Sequence, residues 1–563
     1  MGEYMKKLTR LSVFLMICAV IFCQNLSAEE ANEEEIELPD VTTVISGGAL
    51  TAGKDSVPEY KNILPDLQSG SVKLPELGSV QGTDSSSYSL QSESYNKSVY
   101  AEGKIGGGFP LSFVGDFSIY RTTGNSPFAL SFFHESNEGV ADNKARKGYF
   151  FRTTGVTADK EFNFNSGSNK FSAKYITANN GLQSQSSSFT DEVLHNVDGI
   201  YDGTVNLSNG VFFEYGTSLD FHNRYGTTYN GADTSINKYE DTALTFDFSP
   251  NFGFGWHNEK VKIGFNMAYS SELNLKDTDT LLKAEGSSSS ESSHRGQFTI
   301  NSSYNSENFG VWAKAQAVIG SAIGDNNVIV PFALGSNFSF NSGLSSQNAK
   351  VILEGGCDSY ENKISAIERS FYYTICSAIP TETTDWYAKA DISLPVKDIF
   401  NLNLAAEYRK TAFGNGIWAP DYNDGVILAS GYYVAEQKKH TEFNSKVEFS
   451  AVLARVKLTG AWNSCWIDVP SLENEHSIRG TVLYQSENSR FAAEVSAIES
   501  ISSGIDAMPK VDGSISVKAS DSIRLALEVN DVIKLVTNDT RTYCGSKYKA
   551  KGGNALFIVK FQF

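Results

Sequence analysis

The nine residues Ala555-Leu-Phe-Ile-Val-Lys-Phe-Gln-Phe563 decide the fold. Successive side chains of a strand point to opposite sides, so Phe557, Val559, Phe561 and Phe563 share one face, and Leu556, Ile558, Lys560 and Gln562 share the other. The same period of two runs back along the chain. Leu111, Phe113, Gly115, Phe117 and Ile119 oppose Ser112, Val114, Asp116 and Ser118; Val261, Ile263, Phe265, Met267 and Tyr269 oppose Lys262, Gly264, Asn266 and Ser270. Trp386, Ala388, Ala390, Ile392 and Leu394 repeat it, as do Ile523, Leu525, Leu527 and Val529. From Val99 to Phe563 there are about 22 such segments (range 20–24), roughly one per 21 residues, the spacing of tilted spans of about ten residues plus connections.

Alternation alone also suits a soluble sandwich, whose strands bury one face. The connections separate the two readings. Asn165–Asn169, Ser208–Gly210, Asn258–Lys260, Asn305–Asn308, Glu487–Arg490 and Ser520–Ser522 are short and rich in turn formers, and Asn209-Gly210 is a strong hairpin signal. Glu135–Lys147, Asn179–Asn196, Arg224–Lys238, Ser271–His294, Cys357–Asp385, Lys410–Lys438 and Asp531–Lys547 are long and polar, and they fall on the other rim. One rim of short turns and one of long loops predicts an all-β, large antiparallel transmembrane β-barrel over residues 95–563. Its outer face would meet outer-membrane lipid, and Phe561 and Phe563 in the closing strand would be its membrane-assembly signal to the barrel-assembly machinery.

Composition agrees. The 563 residues hold 26 Tyr, 36 Phe and 47 Gly against 5 Met and 13 Pro, which favours β structure. The net charge of −18 has the wrong sign for nucleic acid or an anionic surface, so no nucleic-acid partner is expected. Residues 1–28 read as a signal peptide: Lys6, Lys7 and Arg10, an apolar run Leu11–Cys23, then Leu26-Ser27-Ala28. Phe22 before Cys23 argues against a lipoprotein. No later stretch is long and apolar enough for a transmembrane helix.

Four cysteines remain after cleavage: Cys357, Cys376, Cys465 and Cys544. An even count in an exported chain favours disulfides, with Cys357–Cys376 and Cys465–Cys544 as one of three connectivities. Neither C-x-x-C nor H-E-x-x-H occurs, so no metal site and no cofactor are expected. His134-Glu135 and Asp220-Phe-His222 set carboxylates beside histidines; Asp220, His222 and Glu214 share a strand face, which reads as a lumen-facing polar cluster, and no enzyme is expected. Asp116, Glu214, Asp220, Asp247, Asp391, Glu407 and Glu528 are candidate lumen acids, countered by Lys262, Lys314, Lys389 and Arg524. A wide lumen would leak unless loops fold inward or a partner fills it.

Residues 29–94 form a different region, acidic at first and then rich in Pro, Gly and Ser, with Leu38-Pro, Val57-Pro, Leu64-Pro and Leu74-Pro repeated. This reads as a mostly disordered periplasmic leader, either a solvated linker or an extended segment for partner binding. Within it Asp40-Val41-Thr42-Thr43-Val44-Ile45 resembles the energy-coupling box of TonB-dependent receptors. The run from Leu527-Glu-Val-Asn-Asp531 through Tyr548-Lys-Ala-Lys-Gly-Gly553 to Phe563 resembles the closing strands of those receptors' barrels. Val99–Gly139, with Gly106-Gly-Gly-Phe-Pro110 and Phe132-Phe-His-Glu135, is similar to the opening strands of plugless relatives. The resemblance implies an outer-membrane barrel for passage of a small-molecule solute, with a periplasmic plug or energy-coupling protein as partner. The family's plug is expected to be lacking, because about 66 residues poor in core formers stand between the signal and the barrel. The other classes of function are a surface receptor or adhesin, with disulfide-stapled loops on a barrel anchor, and an assembly component acting through the leader.

Overall fold

The computed structural model describes residues 99–563, apart from 122–125, 140–142, 188, 230–235, 239–242, 276–291, 322, 324–327, 377–378, 398, 423–424, 426, 429, 469–474, 487–488 and 502–508. The signal, leader and coupling segment 40–45 lie outside these residues.

Twenty-two antiparallel strands close into a barrel. In chain order they are β1 Tyr100–Phe109, β2 Ser112–Arg121, β3 Phe128–Glu138, β4 Phe150–Phe164, β5 Gly167–Gly181, β6 Asp191–Asn206, β7 Val211–Tyr229 and β8 Ala243–His257. Then come β9 Val261–Asn274, β10 Ser292–Asn305, β11 Phe309–Gly320, β12 Phe332–Phe340, β13 Ala349–Tyr360, β14 Thr383–Val396 and β15 Phe400–Thr411. The rest are β16 Thr441–Leu453, β17 Val456–Ile467, β18 Glu475–Gln485, β19 Phe491–Ile501, β20 Lys510–Lys518, β21 Ile523–Asn530 and β22 Asn554–Gln562. Each pairs with its neighbours in sequence, and β22 returns to β1, from Gln562 opposite Glu102 to Ala555 opposite Phe109. At this seam the glycine run has its reason. A Cβ on Gly108 would lie 1.8 Å from Ala555 O, and one on Gly106 would lie 2.7 Å from Phe557 O.

The hairpins fall where the sequence placed them. Asn209 takes the left-handed conformation, at φ 62°, between β6 and β7. Asn258 Oδ1 accepts from Lys260 N at 2.9 Å and Val261 N at 2.7 Å between β8 and β9. Several strands run further into the long-loop rim than their alternation showed: β7 continues from Arg224 to Tyr229.

The two faces are inverted relative to a soluble protein. Ile300, Leu334, Val495 and Phe557 are more than half exposed on the outside, whereas Thr299, Gln316, Ser172 and Asn196 on the inside are buried. A water-soluble sandwich would hide the first set, so the alternation belongs to a barrel. One inner patch departs from polarity: Leu556 and Ile558, on the second face of the closing strand, pack with Ala526 and Val114.

The cysteines correct an expectation. All four are thiols, with no disulfide among the described residues. Cys357 lies inside β13 rather than in a loop, in register with Phe332 and Trp386, both well exposed, and so on the outward side of the wall. Cys376 sits in a short strand inside the lumen, opposite Ala435, so the barrel wall separates the two. Cys465 lies within β17, its Sγ 3.8 Å from Glu442 Oε1, while Cys544 packs against loop aromatics.

The inverted faces make a test. Ile300→Arg, on the outer face midway along β10, is expected to cost about 2–4 kcal/mol in reversible folding into lipid vesicles. Asn301→Ala at the next, lumen-facing position is expected to stay within about 1 kcal/mol. Equal effects at the two positions would contradict the assignment of faces.

Candidate functional site: loops folded into the lumen

The loops 361–382, 412–440 and 531–553 leave the same rim and turn inward rather than outward. Together they build a small cored unit. Loop 361–382 carries a helix, α1 (Ile364–Ser370), and a short strand, Thr374–Cys376, that pairs in parallel with Tyr433–Lys438; Ile417–Pro420 completes a three-stranded sheet. Ile364, Ile367 and Phe371, at helical spacing, face a cluster of Ile375, Tyr422, Tyr432, Tyr433, Tyr543 and Tyr548. Tyr373 and Tyr548 stack with centroids 3.6 Å apart and planes at 7°. Burial pushes the Tyr373, Tyr422 and Tyr543 phenols up, so they remain neutral. Tyr422 Oη donates to Tyr372 O at 2.7 Å. Loop 182–190 joins through an amide clamp: Gln183 Nε2 donates to Lys549 O at 2.8 Å, and Lys549 N donates to Gln183 Oε1 at 2.7 Å.

A helix of seven residues is marginal alone, so α1 depends on what it touches. It touches the inner wall. His222 Nε2 lies 2.8 Å from Glu368 Oε2, and Arg224 Nε donates to the same oxygen at 3.0 Å. His222 Nδ1 is 2.6 Å from Asn196 Oδ1. Arg369 reaches Asp198 Oδ2 and Asp220 Oδ2, both at 3.2 Å, and Lys363 Nζ lies 3.2 Å from Asp247 Oδ1. Ile364 N donates to Glu272 Oε1 at 2.8 Å. Asp220 lies nine residues below the end of β7, about 30 Å of strand, so the helix is well inside the barrel.

The sequence-read cluster of Asp220 and His222 is therefore the wall half of a docking site for this helix; Glu214, further down the face, takes no part in these contacts. Asp247 joins the cluster. Lys389 pairs with Glu354 at 3.3 Å, Glu407 with Arg409 at 2.7 Å, and Glu528 with Lys560 at 2.8 Å, so these three anticipated lumen groups are spent on neighbours. Arg524 donates to Ser516 Oγ at 3.1 Å. His134 sits by Thr154 Oγ1 at 2.7 Å, and Glu135 by Lys551 at 2.7 Å, so that pair does not act together. Besides Asp198, Arg224 and Glu272 on the wall, the residues that sequence reasoning missed are Lys363, Glu368 and Arg369 on the loop. Their signal was the apolar spacing of Ile364, Ile367 and Phe371 within an apparently irregular loop.

No family model and no curated protein matches this chain. Solved structures do. The FrpB iron transporter of Neisseria meningitidis (F5-1 variant) superposes with a TM-score of 0.61 at 10% identity, over 83% of each chain. The siderophore receptor PirA of Acinetobacter baumannii gives 0.60 at 9%, over 84% of this chain and 81% of that one. A ferric enterobactin receptor mutant (PfeA) of Pseudomonas aeruginosa gives 0.59 at 8%, with the same coverage. The barrel has the TonB-dependent-receptor fold. The receptor-like resemblance of the closing strands thus holds for the architecture of the barrel.

The helix is held by charge. Burial works against ionised Glu368, yet Arg224 and then His222 outweigh it and keep its carboxyl below the ordinary 4.5. A lowered folded value means that this contribution is complete above the ordinary range and is lost only as pH falls through the folded value. Loss of this pair is therefore expected to lower the protection factors of the α1 amides, corrected for intrinsic exchange, as pH falls below the ordinary 4.5. Glu368→Ala leaves Arg224 buried without this partner and is expected to weaken docking by about 3–5 kcal/mol, read as faster exchange over α1 at neutral pH.

Proposed function

We propose that this protein is an outer-membrane barrel for uptake of a small solute, whose own loops close the lumen and whose passage depends on their release. The observation that carries the reading is the pairing of an apolar outer wall with a polar lumen into which a cored loop unit is folded. An apolar belt of this kind suits a bilayer, where every backbone polar group must be paired internally, and the closed strand circle does that. The solved structures of like fold are an iron transporter and siderophore receptors, which favours uptake over a purely adhesive barrel. The solute itself is not specified by the described residues.

In this reading the long loops face outside and the leader 29–94 lies in the periplasm after loss of the signal 1–28. Phe561 and Phe563 are read by the assembly machinery, and Asp40–Ile45 offers an extended strand to an energy-coupling partner of the TonB type. Lumen groups such as Lys389 and Glu407 line the path below the loops. No step of catalysis is assigned to Asp220 and His222, which are engaged by α1.

The test is single-channel recording of the mature chain in planar bilayers. The intact protein is expected to show small or rare steps, and a chain lacking residues 363–376 to show large, stable ones. Removing residues 29–94 separates a leader that fills the lumen, which would give larger steps, from one that only recruits a partner. Silence of the 363–376 deletion, with its β content intact by circular dichroism, would overturn closure by the loops.

A further inference from the structure

The wall contacts of α1 are arranged in a line. Asp198 on β6 is the register partner of Asp220 on β7, Asp220 of Asp247 on β8, and Asp247 of Glu272 on β9. Four carboxylates thus stand side by side on four adjacent strands, in one line across the lumen wall. Like charges directly opposite each other across strands destabilise a sheet, so nothing in barrel construction calls for such a row. Lys174 on β5, opposite Asp198, ends it on one side. Glu361, held by Ser270 Oγ at 2.8 Å, adds a fifth acid from the loop. Five carboxylates therefore meet three bases: Lys174, Lys363 and Arg369.

The row is also incompletely satisfied. Among the described residues Asp220 Oδ1, Asp247 Oδ2 and Glu272 Oε2 are buried without a hydrogen-bond donor, and Asp247 and Glu272 are 1% and 0% exposed. Orphaned acceptors in an acidic line call for additional donors carrying positive charge. A single metal ion does not fit, because the carboxylates are strung out rather than convergent, and among the described residues no three ligating side chains gather around one point. What does fit is already visible in part. Lys363 and Arg369, six residues apart on the loop, lay two cationic groups along the row, one at Asp247 and one between Asp198 and Asp220.

We infer that the carboxylate row is a binding site for linear polyamines, and that the chain's own segment from Lys363 to Arg369 is its resident occupant. Neighbouring strands stand about 4.8 Å apart, so the row extends over roughly 14 Å. A polyamine carries ammonium groups three or four methylenes apart, close to that repeat, and each brings several N–H donors to the orphaned oxygens. A polyamine bound there competes with Lys363 and Arg369 and so frees α1 from the wall. The inference rests on the uptake reading for its meaning in transport, but binding and release are measured without any passage of solute.

The test uses the mature chain in uncharged detergent micelles with spermidine as the probe, against sodium chloride of matched ionic strength, because screening alone loosens ion pairs. Calorimetric titration is expected to show saturable spermidine binding, and amide exchange over 363–370 to quicken at least tenfold when the site fills. Lys363→Gln with Arg369→Gln removes the resident charges and is expected to tighten spermidine binding at least tenfold. Asp247→Asn with Glu272→Gln is expected to abolish it. If that second pair fails to fold, the first pair decides alone, since a purely structural row predicts no gain in affinity. Spermidine effects no larger than those of matched salt, in the wild type and in the Lys363/Arg369 variant alike, would overturn the inference. Binding in micelles together with a silent 363–376 deletion in bilayers would instead count against closure by the loops and leave the site standing.

Discussion

Closure of β22 onto β1 is the constraint on which everything else depends. An open sheet of this length would present two unpaired edges, each a row of N–H and C=O groups with no partner. The seam removes both, and its geometry explains the glycines at 106 and 108, where the backbone of β22 comes too close for a side chain. Once the circle is closed, the period of two has only one outcome: one set of side chains faces out and the other faces in. The wall's outer chemistry and its inner chemistry are then independent, and the sequence can make the first uniformly apolar while varying the second.

That freedom is used unevenly. Several lumen acids are paired with bases on the next strand or two positions along, as Glu354 is with Lys389 and Glu407 with Arg409. On β6 to β9 they are instead aligned, and the compensating charges come from a loop that begins after β13. Local pairing across neighbouring strands gives way there to a contact far apart in sequence, and the loop unit acquires a fixed seat. The aromatic cluster supplies its cohesion, while the ion pairs supply its address. The two contributions differ in kind: stacked tyrosines hold at any salt concentration, whereas the less buried ion pairs weaken with it.

The wall was legible in the sequence because its signal is local. Alternation in Ala555–Phe563 and in Val261–Tyr269, together with short turns such as Ser208–Gly210, needs no knowledge of distant residues. The lumen unit was not legible for the opposite reason. Helix α1 is too short to stand out, and Tyr373 and Tyr548 are 175 positions apart, yet they stack face to face. Asp220 and His222 were found on one face, but their partners Arg369 and Glu368 lay in a stretch that read as connection. The cysteines failed similarly: an even count says that pairing is feasible, while only the wall between Cys357 and Cys376 says that those two are kept apart.

The strand pair that closes the circle also brings the chain back to where the barrel starts. Tyr100 and Gln562 lie on the rim of short turns, and Ala101 and Phe563 exchange backbone hydrogen bonds there, at 3.1 and 2.7 Å. Whatever grips the residues ahead of Tyr100 is thereby tethered beside the lumen mouth on that rim. Its local concentration is then set by the length of the intervening chain rather than by its abundance in solution. A second contact of that partner with the lumen mouth is then intramolecular, and shortening or stiffening the chain between would tune it without altering a residue of the barrel.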